Sequence, residues 1–133
     1  MSTPPNHTGA VYGYPVRFLR LPLEPGQRRR RGELVPLCVV HDDLVTALDV
    51  RPAAAFVLRR ALAMHTGCGW GTVKIGRRSC GAPQVDLARW LVESALALGF
   101  VGRRALADYD RAAAEAEAAL GACPDAATQN LRQ

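Results

Sequence analysis

Three neighbouring residues, Phe56, Arg59 and Arg60, carry the side chains best suited to bind a nucleic acid. An α-helix turns by about 100° per residue, so on a helix Phe56 lies between the two arginines on one face. Arginine reads guanine edges or binds phosphate, and an exposed phenylalanine contacts the methyl group of thymine. This face predicts a DNA-reading surface. The alternative is a solvated helix face on which Phe56 packs against another part of the chain.

Further basic residues lie on predicted turns. Arg77 and Arg78 follow the short strand Thr72–Ile75, as in a wing that contacts DNA beside a recognition helix, although an ordinary exposed turn fits equally well. Four consecutive arginines lie in a loop between two predicted strands, where they would attract phosphate at low salt or serve solubility. The predicted nucleic-acid-binding residues are Arg51, Phe56, Arg59, Arg60, Lys74, Arg77, Arg78, Arg28, Arg29, Arg30 and Arg31.

The positive charge is concentrated in the first part of the chain. The net charge is +5 over 133 residues. Residues 1–80 contribute +7, from twelve Arg or Lys and five Asp or Glu, whereas residues 81–133 contribute −2. Such asymmetry favours a polyanionic partner that contacts one face of the protein.

Two cysteine–histidine pairs have the spacing of metal ligands. Cys38 precedes His41 by three residues, as His65 precedes Cys68, and two thiolates with two imidazoles would satisfy tetrahedral zinc. The alternative is that Cys38 packs in an apolar strand and His65 continues an apolar helix stripe. We expect a protein that folds without metal or cofactor and keeps its four cysteines reduced.

The sequence offers no recognisable catalytic motif. The glycine-rich run Gly67–Gly71 lacks the lysine of a phosphate-binding loop, and neither a nucleophile elbow nor a zinc-protease motif occurs. The adjacent acids Asp42 and Asp43 fit the start of a helix, where carboxylates favour the helix dipole. We therefore expect a binding protein and no enzyme.

The first half of the chain predicts two strands followed by two helices. Residues 11–23 and 34–40 predict two strands joined by the arginine loop, the first an edge strand because it contains Pro15 and Pro22. A short helix capped by His41 or Asp42 follows, and proline at position 52 separates it from a second helix. The stripe predicted to face the core in that second helix comprises Ala54, Val57, Leu58, Ala61, Leu62 and His65.

Two more helices are predicted, over residues 84–100 and 103–120, the first of them the central core helix. The second carries a thin apolar stripe, which predicts a homodimer formed through this helix; packing of the helix onto its own chain is the alternative. The stripe comprises Leu106, Tyr109, Ala113, Ala116 and Leu120.

Together these elements predict an α+β fold with an N-terminal β-hairpin, a winged helix-turn-helix-like centre and two C-terminal helices. A single domain would span residues 11–121, between disordered tails at residues 1–10 and 122–133. The sequence shows neither a signal peptide nor an apolar run of membrane-spanning length, so a cytoplasmic location is expected.

The run YPVRF at residues 14–18 and the run LCVVHDDLVTALDV at residues 37–50 resemble the Bro-N domain of phage antirepressors. That family opens with a hairpin, continues into a D-V-x-x-A-L-G-like helix and then has a helix with paired basic residues, where Arg59 and Arg60 fall. The resemblance covers about half of the chain and implies association with DNA.

We therefore expect a DNA-binding regulatory protein of phage, prophage or plasmid origin that uses a helix-turn-helix to control transcription or replication. The alternative is a phage-encoded interaction module that inhibits a host nucleic-acid-binding complex. In that case the arginines would meet an acidic protein surface or occupy a nucleic-acid channel.

Overall fold

A computed structural model of the chain describes residues 5–21, 35–64 and 70–121, with the backbone alone for residues 62–64. The predicted α+β class is confirmed, whereas the winged helix-turn-helix arrangement stays a prediction. In chain order the elements are β1 (Asn6–Val11), β2 (Tyr14–Arg20), β3 (Leu37–Val39), α1 (His41–Leu48), α2 (Pro52–Met64), β4 (Trp70–Ile75), β5 (Arg78–Pro83), α3 (Val85–Ala97) and α4 (Arg103–Leu120).

The N-terminal sheet has three antiparallel strands in the order β1-β2-β3. Tyr12 and Gly13 connect β1 to β2, and both have positive φ angles, of 52° and 80°, as a two-residue hairpin turn requires. The expected tail over residues 1–10 is wrong for residues 6–10, which belong to β1. This strand has few β-branched or apolar residues, so it gives a weak sequence signal.

Strand β2 is central in this sheet, so the prediction of an edge strand is wrong. The part of β2 that pairs with β3 is Phe18–Arg20, and Pro15 lies opposite Ala10 of β1. Beside the hydrogen-bonded pair that closes a two-residue hairpin, the backbone nitrogen of Pro15 points away from β1, where β3 does not reach. The missing N–H of the proline therefore costs no strand hydrogen bond. The loop with Arg28, Arg29, Arg30 and Arg31 lies outside the described residues.

Helix α4 packs on β1 and α3 within its own chain. Tyr109 is fully buried, its hydroxyl donates a 2.6 Å hydrogen bond to the carbonyl of Val85, and its ring lies 6.1 Å from that of Phe18. A Cβ atom added at Gly9 would lie 2.7 Å from that of Ala112, which shows how closely helix and strand approach. The buried residues of α4 are Ala105, Asp108, Tyr109, Ala112 and Ala116.

The prediction that the apolar stripe of α4 is exposed and available for a homodimer is therefore wrong. Tyr109 and Ala116 are buried in the core, and Leu106, Ala113 and Leu120 pack against that core partly buried. Small alanine side chains let the helix approach its own sheet closely, so the face expected to meet another copy is filled within the chain.

Helix α3 is the core helix that the sequence predicts. It buries Leu87, Ala88, Leu91, Val92 and Ala95. On its outer ridge Arg89 pairs with Glu93 at 3.1 Å and with Asp110 of α4 at 2.8 Å. Helices α3 and α4 together contribute many of the buried side chains of the main core cluster.

Helix α2 lies at the margin of the fold, and its predicted core stripe is partly wrong. Leu58 is buried, but Val57 is 53% exposed and Ala54 and Ala61 are only partly covered. A helix that lies fully on a core buries a wide apolar stripe. Here the core buries Leu58 and covers its neighbours on α2 only in part. Among the other predicted members, the side chain of Leu62 and all of His65 lie outside the described residues.

The predicted strand Thr72–Ile75 is confirmed and begins earlier, at Trp70. It pairs with β5, a strand the sequence does not signal because RSCGAP is poor in β-forming residues. Their hairpin joins the first sheet through a bridge between Cys38 and Gln84 and through a second apolar cluster. That cluster comprises Leu19, Leu21, Cys38, Val40, Val73, Cys80 and Ala82.

Helix α1 is joined to β2 by one carboxylate. Asp43 accepts hydrogen bonds from the backbone N–H of Arg17 at 3.1 Å, from its Nε at 2.7 Å and from its Nη2 at 2.9 Å. The side chain of Asp43 is only 15% exposed. Hydrogen bonding to this carboxylate raises the pKa of Arg17.

None of the helices in the described ranges is long and apolar enough to cross a membrane.

We predict that Asp43→Ala lowers the free energy of unfolding by about 2 kcal/mol, because it leaves a half-buried guanidinium and a backbone N–H without their acceptor. Asp43→Asn keeps one acceptor for that N–H and should lose about half as much. Urea unfolding monitored by circular dichroism measures both. A loss below about 0.5 kcal/mol for Asp43→Ala would show that the interaction contributes no more than a surface ion pair.

Candidate nucleic-acid interface

An open groove of about 500 Å³ lies between α1 and α2 and reaches β5. We call it the α1–α2 groove. It combines an apolar lining, one aromatic ring and charged groups of both signs. Its lining residues are His41, Asp42, Val45, Thr46, Pro52, Ala55, Phe56, Arg59 and Arg78.

Three of the predicted binding residues meet at this groove. Phe56 and Arg59 come from α2, where Phe56 is 64% exposed and Arg59 is also exposed, so neither is a core residue. Arg78 comes from the first position of β5 and lies opposite Ile75, on the face of the hairpin that packs on the second apolar cluster, with its own side chain 81% exposed. Its guanidinium lies 3.5 Å from the carboxylate of Asp42 at the start of α1. The register of the hairpin thus brings Arg78 to the groove.

The other predicted residues do not line the groove. Arg60 is exposed on α2 beside Arg59, and Arg77 is exposed in the turn between β4 and β5. Lys74 is exposed on the opposite face of the hairpin from Arg78, because alternate residues of a strand point to opposite sides. Arg51 lines a different groove. Arg28, Arg29, Arg30 and Arg31 lie outside the described residues.

Sequence reasoning missed the contribution of α1 to this site. The helix begins at His41 after the N-cap residue Val40, which makes no side-chain cap, so the expected cap by His41 or Asp42 is wrong. The carboxylate of Asp43 binds β2 instead, and that of Asp42 faces Arg78. The acidic pair was visible in the sequence, but its partners lie 26 and 36 residues away along the chain.

His41 lines the groove from a buried position. It is 4% exposed, its ring lies 5.4 Å from that of Trp70, and its Nδ1 has no hydrogen-bond partner among the described residues. Burial lowers the pKa of His41, and the positive charge of Arg59 lowers it further, against a smaller opposite effect of Asp42. The imidazole is therefore neutral at pH 7, and it adds no charge to the groove.

The metal hypothesis rests on residues that the structure describes only in part. Cys38 is a free, fully buried thiol whose pKa is raised to about 12 by burial, which disfavours the thiolate that a metal needs. Cys80 is also free and buried. His65 and Cys68 lie outside the described residues. Across residues 5–21, 35–64 and 70–121, no cluster of three or more His, Cys, Asp or Glu could hold a metal ion.

A second groove, of about 540 Å³, lies on the other side of α2. Its apolar surface includes Val57, which is 53% exposed, and Phe100, which is 43% exposed; Leu98, two residues before Phe100, is 59% exposed. Arg51 lies at this apolar groove with Asp49. Helix α2 therefore lies between two grooves, and each of them carries both apolar and charged side chains.

Comparison with known proteins finds no match among family models, curated proteins or solved structures. The resemblance of residues 14–18 and 37–50 to the Bro-N domain thus stays a prediction.

The buried imidazole of His41 predicts a pH-dependent stability. Because the pKa of His41 is lower in the folded chain, the unfolded chain binds the proton more readily. The resulting stability is complete above the ordinary histidine pKa of about 6.5 and is lost as the pH falls below that value. Urea unfolding at pH 7.5 and 5.5 should show a larger loss for the native chain than for His41→Phe, which keeps a ring against Trp70. Equal losses in the two proteins would contradict this account of His41.

We predict that dialysis against a strong chelator leaves the thermal midpoint of the protein unchanged, because the burial that raises the pKa of Cys38 favours the protonated thiol. Differential scanning calorimetry before and after dialysis measures this. Stoichiometric zinc in the purified protein, or a large drop in the midpoint, would instead assign Cys38, His41, His65 and Cys68 as ligands.

Proposed function

We propose that this protein binds DNA through the α1–α2 groove and the adjoining exposed face of α2. The observation that supports the proposal best is the convergence of Phe56, Arg59 and Arg78, from two separate elements, on one groove. Two guanidinium groups beside an exposed aromatic ring provide both phosphate binding and base contact.

The charges around the groove favour an anionic ligand. Asp43 is occupied by Arg17, and the single acid of the groove, Asp42, makes only a long, exposed contact of 3.5 Å with Arg78. The groove thus holds two arginines against one carboxylate. Within the described part of the chain, no carboxylate pairs with Arg59 or Arg60. Among these described residues, no carboxylate offsets the positive charge on the exposed surface of α2, and such charge strengthens association with a phosphate backbone at low salt.

The biological role that we propose is regulation of transcription or replication by a protein of phage, prophage or plasmid origin. Its support is the resemblance to the Bro-N domain, together with the order of α1, α2 and the β4–β5 hairpin. That order is compatible with a helix-turn-helix followed by a wing, with Arg77 at the wing tip. The proposed activity is binding alone and involves no catalytic step.

A homodimer remains part of the proposal on functional grounds. Two copies bound to neighbouring half-sites would bind DNA far more tightly than one copy. Because the apolar face of α4 is filled within the chain, the interface would have to lie elsewhere.

The second groove favours a second candidate function, that of a module inhibiting a host nucleic-acid-binding complex. Val57, Leu98 and Phe100 place large exposed apolar groups near Arg51. An apolar centre flanked by arginine is typical of protein–protein interfaces. In this case the ligand would be an acidic protein surface that contacts Arg51, Arg59 and Arg60 together with these apolar residues.

We predict that the double substitution Arg59→Ala and Arg60→Ala weakens binding to duplex DNA of random sequence by about 2 kcal/mol or more, because it removes two cationic contacts from α2. Fluorescence anisotropy at several salt concentrations should also show a smaller salt dependence for this variant. The control for charge is Arg103→Ala with Arg111→Ala, which removes two charges from α4; because Arg111 pairs with the buried Asp108, the thermal midpoint of this variant is measured as well.

Unchanged duplex affinity in the Arg59 and Arg60 variant would refute DNA binding by this face. Equal losses of duplex affinity in the two double variants would show that the effect comes from the overall charge of the protein and not from the position of Arg59 and Arg60. A native protein that does not bind duplex or single strand at low salt would refute the DNA proposal altogether.

A further inference from the structure

We propose that the α1–α2 groove takes a single unstacked nucleotide, so that the strand bound there is single-stranded or locally unpaired. The inference rests on the proposed nucleic-acid binding and names the form of nucleic acid that this site recognises. Its basis is the shape of the groove and the position of Phe56 on its wall.

The shape of the site favours a small ligand over a duplex. The open groove holds about 500 Å³, which is room for a ligand of small-molecule size, since ligand clefts span roughly 300–1,000 Å³. A double helix is read by convex elements that enter its grooves and contact only the edges of its bases. A concave site of this size matches one base with its sugar and phosphate, not the flank of a double helix.

The exposed ring of Phe56 is suited to stack on an uncovered base face. In a duplex each base is stacked between its neighbours, so only base edges reach the protein. A ring that is 64% exposed at a groove offers a flat apolar surface, and stacking of a base on such a surface is the usual means of binding single strands. Val45, Pro52 and Ala55 add apolar lining for the same base.

The polar groups of the groove are suited to the remaining parts of a nucleotide. Arg59 and Arg78 donate hydrogen bonds to phosphate oxygens. The contact between Arg78 and Asp42 is long, at 3.5 Å, and exposed, so an arriving phosphate can take the guanidinium from the carboxylate. Asp42 then becomes free to accept a hydrogen bond from the amino group of a base. Arg59 and Arg78 against Asp42 give the groove a net positive charge, to which neutral His41 adds nothing.

The test uses fluorescence anisotropy with three labelled probes at one salt concentration. These are a 12-nucleotide DNA strand of mixed sequence, the same strand with abasic residues at its central positions, and the 12-base-pair duplex. The native protein should bind the intact strand at least about fivefold more tightly than the abasic strand, because loss of the base removes the stacking contact.

Two substitutions separate base contact from phosphate contact. Phe56→Ala should weaken binding of the intact strand by at least about fivefold and leave the abasic strand within about twofold, since the ring contacts only the base. Arg78→Ala should weaken both strands by comparable factors, because phosphate is present in both. Arg103→Ala, which removes one exposed charge on α4, is the matched control and should change each by less than about twofold. Phe56 is exposed, so its replacement should leave the thermal midpoint near that of the native protein.

Equal affinity of the native protein for the intact and abasic strands would overturn the inference, as would equal losses of Phe56→Ala on the two strands. If the duplex still binds in either case, the proposed DNA binding stands and only the nucleotide site fails. If none of the three probes binds at low salt, the proposed function fails together with the inference.

Discussion

The interaction on which the candidate site depends is the hydrogen bonding of the Asp43 carboxylate to Arg17. One acid on α1 accepts from both the backbone and the guanidinium of a residue in the central strand β2. The carbonyl of the same arginine accepts the N–H of Val40 at 3.0 Å, immediately before the helix. The start of α1 is thereby fixed to the sheet at two points. His41 and Asp42, which line the groove, follow directly from this fixed turn, so the position of the groove relative to the core is set here.

The two sides of the groove are supported very differently. Helix α1 buries His41, Leu44, Ala47 and Leu48, whereas α2 presents Phe56, Val57 and both of its adjacent arginines to solvent. Most of the fully buried side chains belong to the two sheets, α1, α3 and α4. Burial of apolar surface is the main source of stability, so the core tolerates a peripheral helix whose outer residues stay exposed to solvent. The same exposure explains why surface substitutions on α2 can test binding without unfolding the protein.

The sequence predicted the structure best where the spacing of apolar residues within one helix determines it. The bounds of α4, the core role of α3 and the outward face of Phe56, Arg59 and Arg60 all follow from helical spacing. It was least informative where structure depends on distant partners. Strand β1 exists because β2 pairs with it and α4 covers Gly9. The groove itself depends on the register of β5, which places Arg78 and Lys74 on opposite faces of the hairpin, and no local pattern encodes that register.

The central claim is that nucleic acid contacts the α1–α2 groove in particular, and not the basic half of the chain in general. The most direct test is a titration of isotope-labelled protein with a short DNA strand, followed by two-dimensional NMR of backbone amides and arginine Nε–H groups. The account predicts that the largest shift changes occur at Thr46, Phe56, Arg59 and Arg78, which line the groove. Changes confined to the apolar groove around Val57 and Phe100, or spread evenly over all exposed arginines, would contradict it.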